Sequence, residues 1–328
     1  MTHHIGIIGC GKQAEKHIYG YRANGVKYIS VADISFDAAQ NLAKRTNVNV
    51  VKNIDALFAS EEITAIDICT PTPSHAPLLQ LTIDHKMNFL VEKPLTSNLE
   101  EARAIATAAN RENLIGAVGF TYRYAPALVS IKEFIDGGDL GKVISSNLRI
   151  GGRGSHAIWK HKKETGGGAI REMLVHMIDL AVWYFGPIET AEVLAVEQYF
   201  PERIIDGKEV VVDAEDYVLV KLASKAGQVI TIAADFTTPS FVQYAEVQGT
   251  KGMAFGSIQP HFTPFIWMNN EEGRYPAGKT GLVTESHNII ADLTGNFLAS
   301  LQGKETPRCS VHDAVEVQRV LEMVLKQT

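Results

Sequence analysis

At 328 residues the chain is long enough for two domains, and its 45% hydrophobic and 21% charged residues are the balance of a folded globular protein. A formal net charge of −6 leaves no basic excess to neutralise phosphates and argues against a nucleic-acid partner. Three widely separated cysteines, Cys10, Cys69 and Cys309, form no CxxC pair, which argues against a disulfide framework or thiolate zinc site and for a reducing cytoplasm.

Residues 5–8 are apolar and follow Met-Thr-His-His directly, which reads as a strand and not a signal peptide; no apolar run approaches the roughly 18 residues of a membrane span. Further apolar runs at 28–32, 48–51, 65–69, 88–91 and 115–118 alternate with helical patterns such as 37–45, 75–84 and 99–113. Asn98, with Glu101 three residues on, has the spacing of a capping box. Such alternation predicts a doubly wound parallel sheet covered on both faces. After Tyr124 the pattern changes: a helix over 127–136, a strand over 143–150, a glycine- and cation-rich loop, and an apolar helix over 170–185. Strand-like runs at 191–199, 217–223, 229–234, 242–248 and 253–255 predict a largely antiparallel sheet, and helices over about 285–301 and 311–326 close the chain.

The first strand leads into Gly9-Cys10-Gly11-Lys12-Gln13-Ala14, a GxGxxA turn between strand and helix. Gly9 permits the tight turn, Gly11 lets a pyrophosphate approach the backbone, Ala14 permits close helix–strand packing, and the helix N-terminus supplies positive dipole. Asp33 ends the second strand about twenty residues on, placed to accept hydrogen bonds from the adenosine ribose and to repel a 2′-phosphate. Ile34, Ser35 and Phe36 offer no cation for such a phosphate, so NAD is favoured over NADP. The bland alternative is an aspartate capping a strand end. The fold class predicted is therefore α/β: a Rossmann domain over 1–123 and an α+β domain with a largely antiparallel sheet over 124–328.

Other motifs stand in the order Gly9–Ala14 with His17, Thr70-Pro71 with His75, Glu92-Lys93-Pro94, Gly119-Phe120 with Tyr122-Arg123-Tyr124, and Gly166-Gly167-Gly168 leading to His176 and Asp179. In these the chain resembles the glucose–fructose oxidoreductase / inositol dehydrogenase (Gfo/Idh/MocA) family. The resemblance implies an NAD-dependent dehydrogenase that moves a hydride between the nicotinamide and a secondary alcohol carbon of a sugar, sugar derivative, nucleotide sugar or cyclitol. It implies cofactor contacts from the glycine turn with Lys12 and Gln13, from Thr70, Pro71 and His75, and from Glu92, Lys93 and Arg123. Catalytic roles fall on Lys93 and His176, with Glu172 where the family carries an aspartate. The second domain would bind substrate and form a homodimer or homotetramer.

The chemistry agrees with those residue types. Alcohol oxidation needs a group to take the hydroxyl proton and the substrate carbon held in place. Lys93 follows an apolar strand, at the carboxyl edge where α/β ligands bind; otherwise it is a surface lysine beside a turn proline. Glu172, His176 and Asp179, at i, i+4 and i+7, share a face of a helix that is otherwise apolar. The alternative there is a core histidine bonded to Asp179 and a helix-start glutamate. Arg171 is suited to pair with Glu172 or to bind an anionic substrate group. Tyr122 is assigned to substrate, and Arg123 to cofactor, substrate or an ion pair at the domain interface. Trp159 is assigned to substrate as well, although its basic loop Lys160-His161-Lys162-Lys163 reads first as a solvated charge run. His156, His161, His176 and Asp179 match no zinc spacing, so no metal is expected. Two other functions stay open, an NAD-retaining enzyme with net non-redox chemistry and a non-catalytic dinucleotide-responsive regulator.

Overall fold

In the computed structural model, which describes residues 3–165, 167–271, 275–284 and 287–328, the early apolar runs become one parallel sheet. Its strands are β1 (His4–Ile8), β2 (Tyr28–Ala32), β3 (Asn49–Val50), β4 (Ala65–Ile68), β5 (Asn88–Val91) and β6 (Gly116–Val118), in the order β3-β2-β1-β4-β5-β6. Every residue of β1 and β4 is buried, which is why these strands read as continuous apolar runs instead of alternating ones. The helices α1 (Lys12–Ala23), α2 (Phe36–Thr46), α3 (Ile54–Phe58), α4 (His75–Asp84) and α5 (Leu99–Arg111) fill the crossovers. Ser35, Asn53 and Asn98 cap three of them; the Asn98 side chain accepts from the Glu101 N–H at 2.9 Å, as its spacing predicts. Strand order reverses between β1 and β4, and the carboxyl ends there are where open α/β sheets bind ligands.

Beyond Tyr124 come α6 (Pro126–Asp136), β7 (Val143–Gly151), a π-helical turn (Ile170–Leu174) and α7 (Val175–Phe185). The strands β8 (Ile188–Glu197), β9 (Glu202–Ile205), β10 (Lys208–Val211), β11 (Tyr217–Ser224), β12 (Val229–Asp235), β13 (Val242–Gly249), β14 (Gly252–Gly256), β15 (Phe265–Met268) and β16 (Gly278–Gly281) follow. Eight of the strands form one sheet, β16-β15-β14-β13-β7-β12-β11-β8, antiparallel except for the β7–β12 pair. Burial alternates along β11 and β13, so one face is covered and the other open. The β9–β10 hairpin and β16 escape sequence reading because charged residues and glycines, such as Gly-Lys-Thr-Gly in β16, leave no apolar alternation.

Two helices end the chain, α8 (Ile289–Leu301) and α9 (Val311–Leu325). Glu285, the expected start of the first, lies outside the described residues; Asn288 caps α8 by accepting from the Ile290 and Ala291 N–H groups. Contacts divide the chain otherwise than by a single cut at residues 123–124. One unit is Met1–Tyr124 with His287–Gln318, and the other is Ala125–Ser286 with Arg319–Thr328. The return of α8 to the first unit rests on a close helix crossing. A Cβ on Gly20 of α1 would lie 2.9 Å from the Ile290 carbonyl oxygen, and the Asn24 amide donates to Ala291 O at 2.7 Å. Among the described residues no helix is long and apolar enough to cross a membrane.

Candidate active site

The sequence-predicted residues fall into two groups, one in each unit. In the first unit the glycine turn joins β1 to α1. Gly9 has φ +94°, and a Cβ there would stand 2.8 Å from the Cys69 carbonyl oxygen, so only glycine fits. Gly11 is the opposite case: it is exposed, and nothing lies within 4 Å of where its Cβ would be. It is also the N-cap of α1 and supplies no side-chain cap, leaving the helix N-terminus suited to an anion. Lys12 is exposed, Gln13 half-buried and Ala14 fully buried. Asp33 sits beside this turn, its carboxylate accepting from the Cys10 N–H at 2.7 Å and the Ser35 N–H at 2.8 Å. Each oxygen keeps acceptor capacity for another donor. Ile34 is 98% exposed, and no cation stands among residues 34–36. The open backbone at Gly11 and the fixed anion at Asp33 thus fit a dinucleotide with a free 2′-hydroxyl.

Behind the turn lies a cluster that spacing along the chain does not reveal. His17, on α1, donates from Nδ1 to Asp67 Oδ2 at 2.9 Å and from Nε2 to Glu92 Oε1 at 3.0 Å, and all three residues are buried. An imidazole flanked by two carboxylates satisfies both only when it carries two protons, as a cation. Burial opposes that charge, but the Cys69 and Asp67 side chains favour it, and the His17 pKa stands well above its ordinary value. Burial likewise pushes the Glu92 carboxyl up, yet the hydrogen bond and charge of His17, with Lys93 and Gln13, overcome it and hold it at about 2. His17, Asp67 and Cys69 place ligand-type atoms within 4.8 Å of one another. Both His17 nitrogens are already committed to carboxylates, and burial pushes the Cys69 thiol up, so the cluster holds protons.

Glu92 connects this cluster to Lys93. Its Oε1 also accepts from the Gln13 amide at 3.0 Å, and its Oε2 accepts from the Lys93 backbone N–H at 3.2 Å. The Lys93–Pro94 bond is cis, and Lys93 is half-buried. His75 grips the far side of the triplet, with Nδ1 2.8 Å from Pro94 O and Nε2 2.9 Å from Thr70 O. Burial lowers its pKa despite these carbonyls. The His75 side chain has no exposed surface and ties the Thr70 loop to the Pro94 turn. Thr70 and Pro71 themselves keep exposed surface.

Arg123 is also buried. It is 1% exposed and donates to Arg308 O at 2.8 Å, with Asp313 3.9 Å away, so it braces the 287–318 segment against the rest of its unit. Tyr122, its neighbour, is buried, and burial pushes its phenol up.

In the second unit the glycine segment leads into the π-helical turn; Gly166 lies outside the described residues. Gly168 has φ +112°, and a Cβ there would fall 2.2 Å from Glu215 Oε1. Glu215 accepts from the Ile170 N–H at 3.0 Å through that oxygen and from the Ala169 N–H at 3.0 Å through its own carbonyl. Burial pushes the Glu215 carboxyl up, against the pull of the Ile170 N–H, Lys163 and Arg171. Residues 170–174 form a π-helical turn that runs directly into α7, so Glu172 stands in the turn and His176 in the first turn of the α-helix. Glu172 is buried and pairs with Lys160 Nζ at 3.0 Å, a cation supplied by the preceding loop. The loop is thus no simple solvated charge run. His161 is buried, and burial together with the Arg203 charge pushes it down to about 4. Trp159 stays 43% exposed, Arg171 and His176 are half-buried, and Asp179 is buried. Asp67, Cys69, Lys160 and Glu215 are the members of these groups that sequence reading missed.

Comparison with known proteins gives two family matches. The model described as "Oxidoreductase family, NAD-binding Rossmann fold" matches residues 3–120, and the GFO/IDH/MocA C-terminal domain matches residues 128–255. Inositol 2-dehydrogenase of Rhizobium meliloti (strain 1021) is 30% identical over 256 residues, covering 77% of this chain and 74% of that protein. Levoglucosan dehydrogenase of Pseudarthrobacter phenanthrenivorans is 24% identical over 280 residues, 76% of this chain and 72% of that protein. A solved levoglucosan dehydrogenase in complex with NADH shares the fold, with a TM-score of 0.89 at 19% identity over 99% of this chain and 96% of that one.

Proposed function

The chain belongs to the Gfo/Idh/MocA family of oxidoreductases, and on that premise we propose that it is an NAD-preferring dehydrogenase acting on a secondary alcohol carbon of a sugar, sugar derivative or cyclitol. The observation that carries the cofactor half is Asp33, an anion held by two backbone amides beside the open backbone of Gly11. The first unit holds the dinucleotide: Gly9, Gly11, Lys12, Gln13 and Ala14 at the pyrophosphate, Asp33 at the ribose, and Thr70, Pro71, Glu92 and Lys93 farther along. NAD, when bound, accepts the hydride. Relatives named for inositol and levoglucosan support a polyhydroxylated substrate.

Lys93 orients the reacting hydroxyl, and His176 takes its proton, imidazole being the side chain that titrates near neutrality. Glu172 holds a substrate hydroxyl and the imidazole in place. Tyr122, Trp159 and Arg171 contact substrate, the exposed Trp159 ring offering an apolar face to sugar C–H groups. The second unit also carries the self-association surface of a homodimer or homotetramer. Free thiols at Cys10, Cys69 and Cys309 suit a reducing cytoplasm.

The test is a screen of sugars, cyclitols and nucleotide sugars for NAD reduction, followed by NADH absorbance. A substrate whose turnover vanishes in His176→Asn while NAD binding persists supports the reading. Full activity of that variant overturns the role of His176. Cofactor that co-purifies and turns over without net NADH would favour the NAD-retaining alternative.

A further inference from the structure

Glu172 is 7% exposed, and a buried carboxylate stays ionised only when its charge is matched. The match comes from Lys160, whose Nζ lies 3.0 Å from Glu172 Oε2 and whose side chain is 27% exposed. The same ammonium sits 5.4 Å from the centroid of the Trp159 ring. The backbone around Lys160 is held as firmly as its side chain. Its N–H donates to Ala157 O at 3.0 Å, and its carbonyl accepts from the Gly168 N–H at 2.8 Å. Thr165 Oγ1 donates to Trp159 O at 2.6 Å, and a Cβ on Gly167 would stand 2.5 Å from the Lys160 carbonyl. The loop is thereby stitched to the glycine segment that begins the π-helical turn bearing Glu172.

Other charged groups on or against this turn have identifiable tasks. Glu215 caps Ile170 and is balanced in part by Lys163 and Arg171. Arg149 on β7 pairs with Asp235 on β12, and α7 brings His176 and Asp179. Building on the function proposed above, we propose that Lys160 is a positioning residue for Glu172: it keeps that carboxylate ionised and in place, and so makes residues 157–165 part of the active site. A substrate hydroxyl at Glu172 then meets a fixed acceptor, with the Trp159 ring beside the same ammonium.

The experiment uses the full chain with NAD and the substrate from the screen, and compares Lys160→Met, Lys160→Arg and Glu172→Gln. Removing a cation favours the protonated form of any neighbouring carboxylate or imidazole. The acidic limb of kcat/KM should therefore move to higher pH by about one unit in Lys160→Met, with kcat at neutral pH reduced roughly tenfold. Lys160→Arg should restore the limb, which loop packing alone would not explain. In a Glu172→Gln background, Lys160→Met should add little, because a carboxamide needs no counter-ion. An unmoved limb in Lys160→Met, or an equal shift with and without the Glu172 carboxylate, overturns the proposal. Lys160→Gln replaces Lys160→Met if the latter fails to bind NAD. Activity surviving in both His176→Asn and Lys93→Met would instead count against the functional reading itself.

Discussion

Asp33 and the two glycines of the first turn separate binding from stability residue by residue. Asp33→Ser should weaken NAD roughly tenfold and narrow its advantage over NADP, since it removes a charge-assisted acceptor and the repulsion of a 2′-phosphate. Titrating both cofactors checks this, and tighter NADP binding in the parent chain would refute the assignment. Gly11→Ala meets no neighbour within 4 Å, so the unfolding free energy should change by less than about 0.5 kcal/mol while NAD binding weakens as the methyl fills the approach to the backbone. Lys93→Met should keep the fold and NAD binding and lose about 10²–10⁴-fold in turnover. Near-normal rates would remove Lys93 from the chemistry. Residue identity was legible at these positions because a glycine turn, a strand-end aspartate and a Glu-Lys-Pro triplet are local signals. The burial of His75 and Arg123 was not legible, because it depends on what folds over a residue, which its neighbours in the chain do not say.

At the scale of elements, the cluster of His17 on α1, Asp67 on β4 and Glu92 after β5 pins helix to sheet through buried charge. Glu92 is held at about 2 against an ordinary 4.5, so its contribution to stability is present above pH 4.5 and is lost as pH falls toward 2. His17 is shifted the other way: its contribution is complete below its ordinary 6.5 and declines as pH rises toward its folded value. Both are therefore fully in force between pH 4.5 and 6.5. Glu92→Gln should flatten the acid side of the unfolding free energy, removing about 3 kcal/mol of pH dependence by denaturant titration. An acid limb as steep as the parent's would mean that other carboxylates dominate it. The π-helical turn makes a second case. Gly168→Ala combines a positive φ with a Cβ 2.2 Å from Glu215, and should cost at least about 2 kcal/mol in chemical denaturation.

For the whole molecule, the open face of the eight-stranded sheet matters most. Tyr244 and Phe255 lie 5.5 Å apart, Phe255 stacks on Phe265 at 5.5 Å, and Trp267 on the same strand as Phe265 is 47% exposed. An aromatic cluster of this kind at the β13–β15 end of the sheet, beside the exposed Trp267, suits self-association. Trp267→Glu should give a smaller species in sedimentation velocity than the parent chain, and an unchanged mass would place the interface elsewhere.

Periodicity and short motifs act over a few residues, which made the strand–helix alternation, the glycine turn, the antiparallel character of the second sheet and the family legible in the chain. That α8 packs back on α1, that His17 lies between Asp67 and Glu92, and that Glu172 pairs with Lys160 emerged from the folded chain alone. Each of these pairs is brought together by elements that are separate in the chain. Their pairing follows from how helices and strands pack, and no local spacing encodes it.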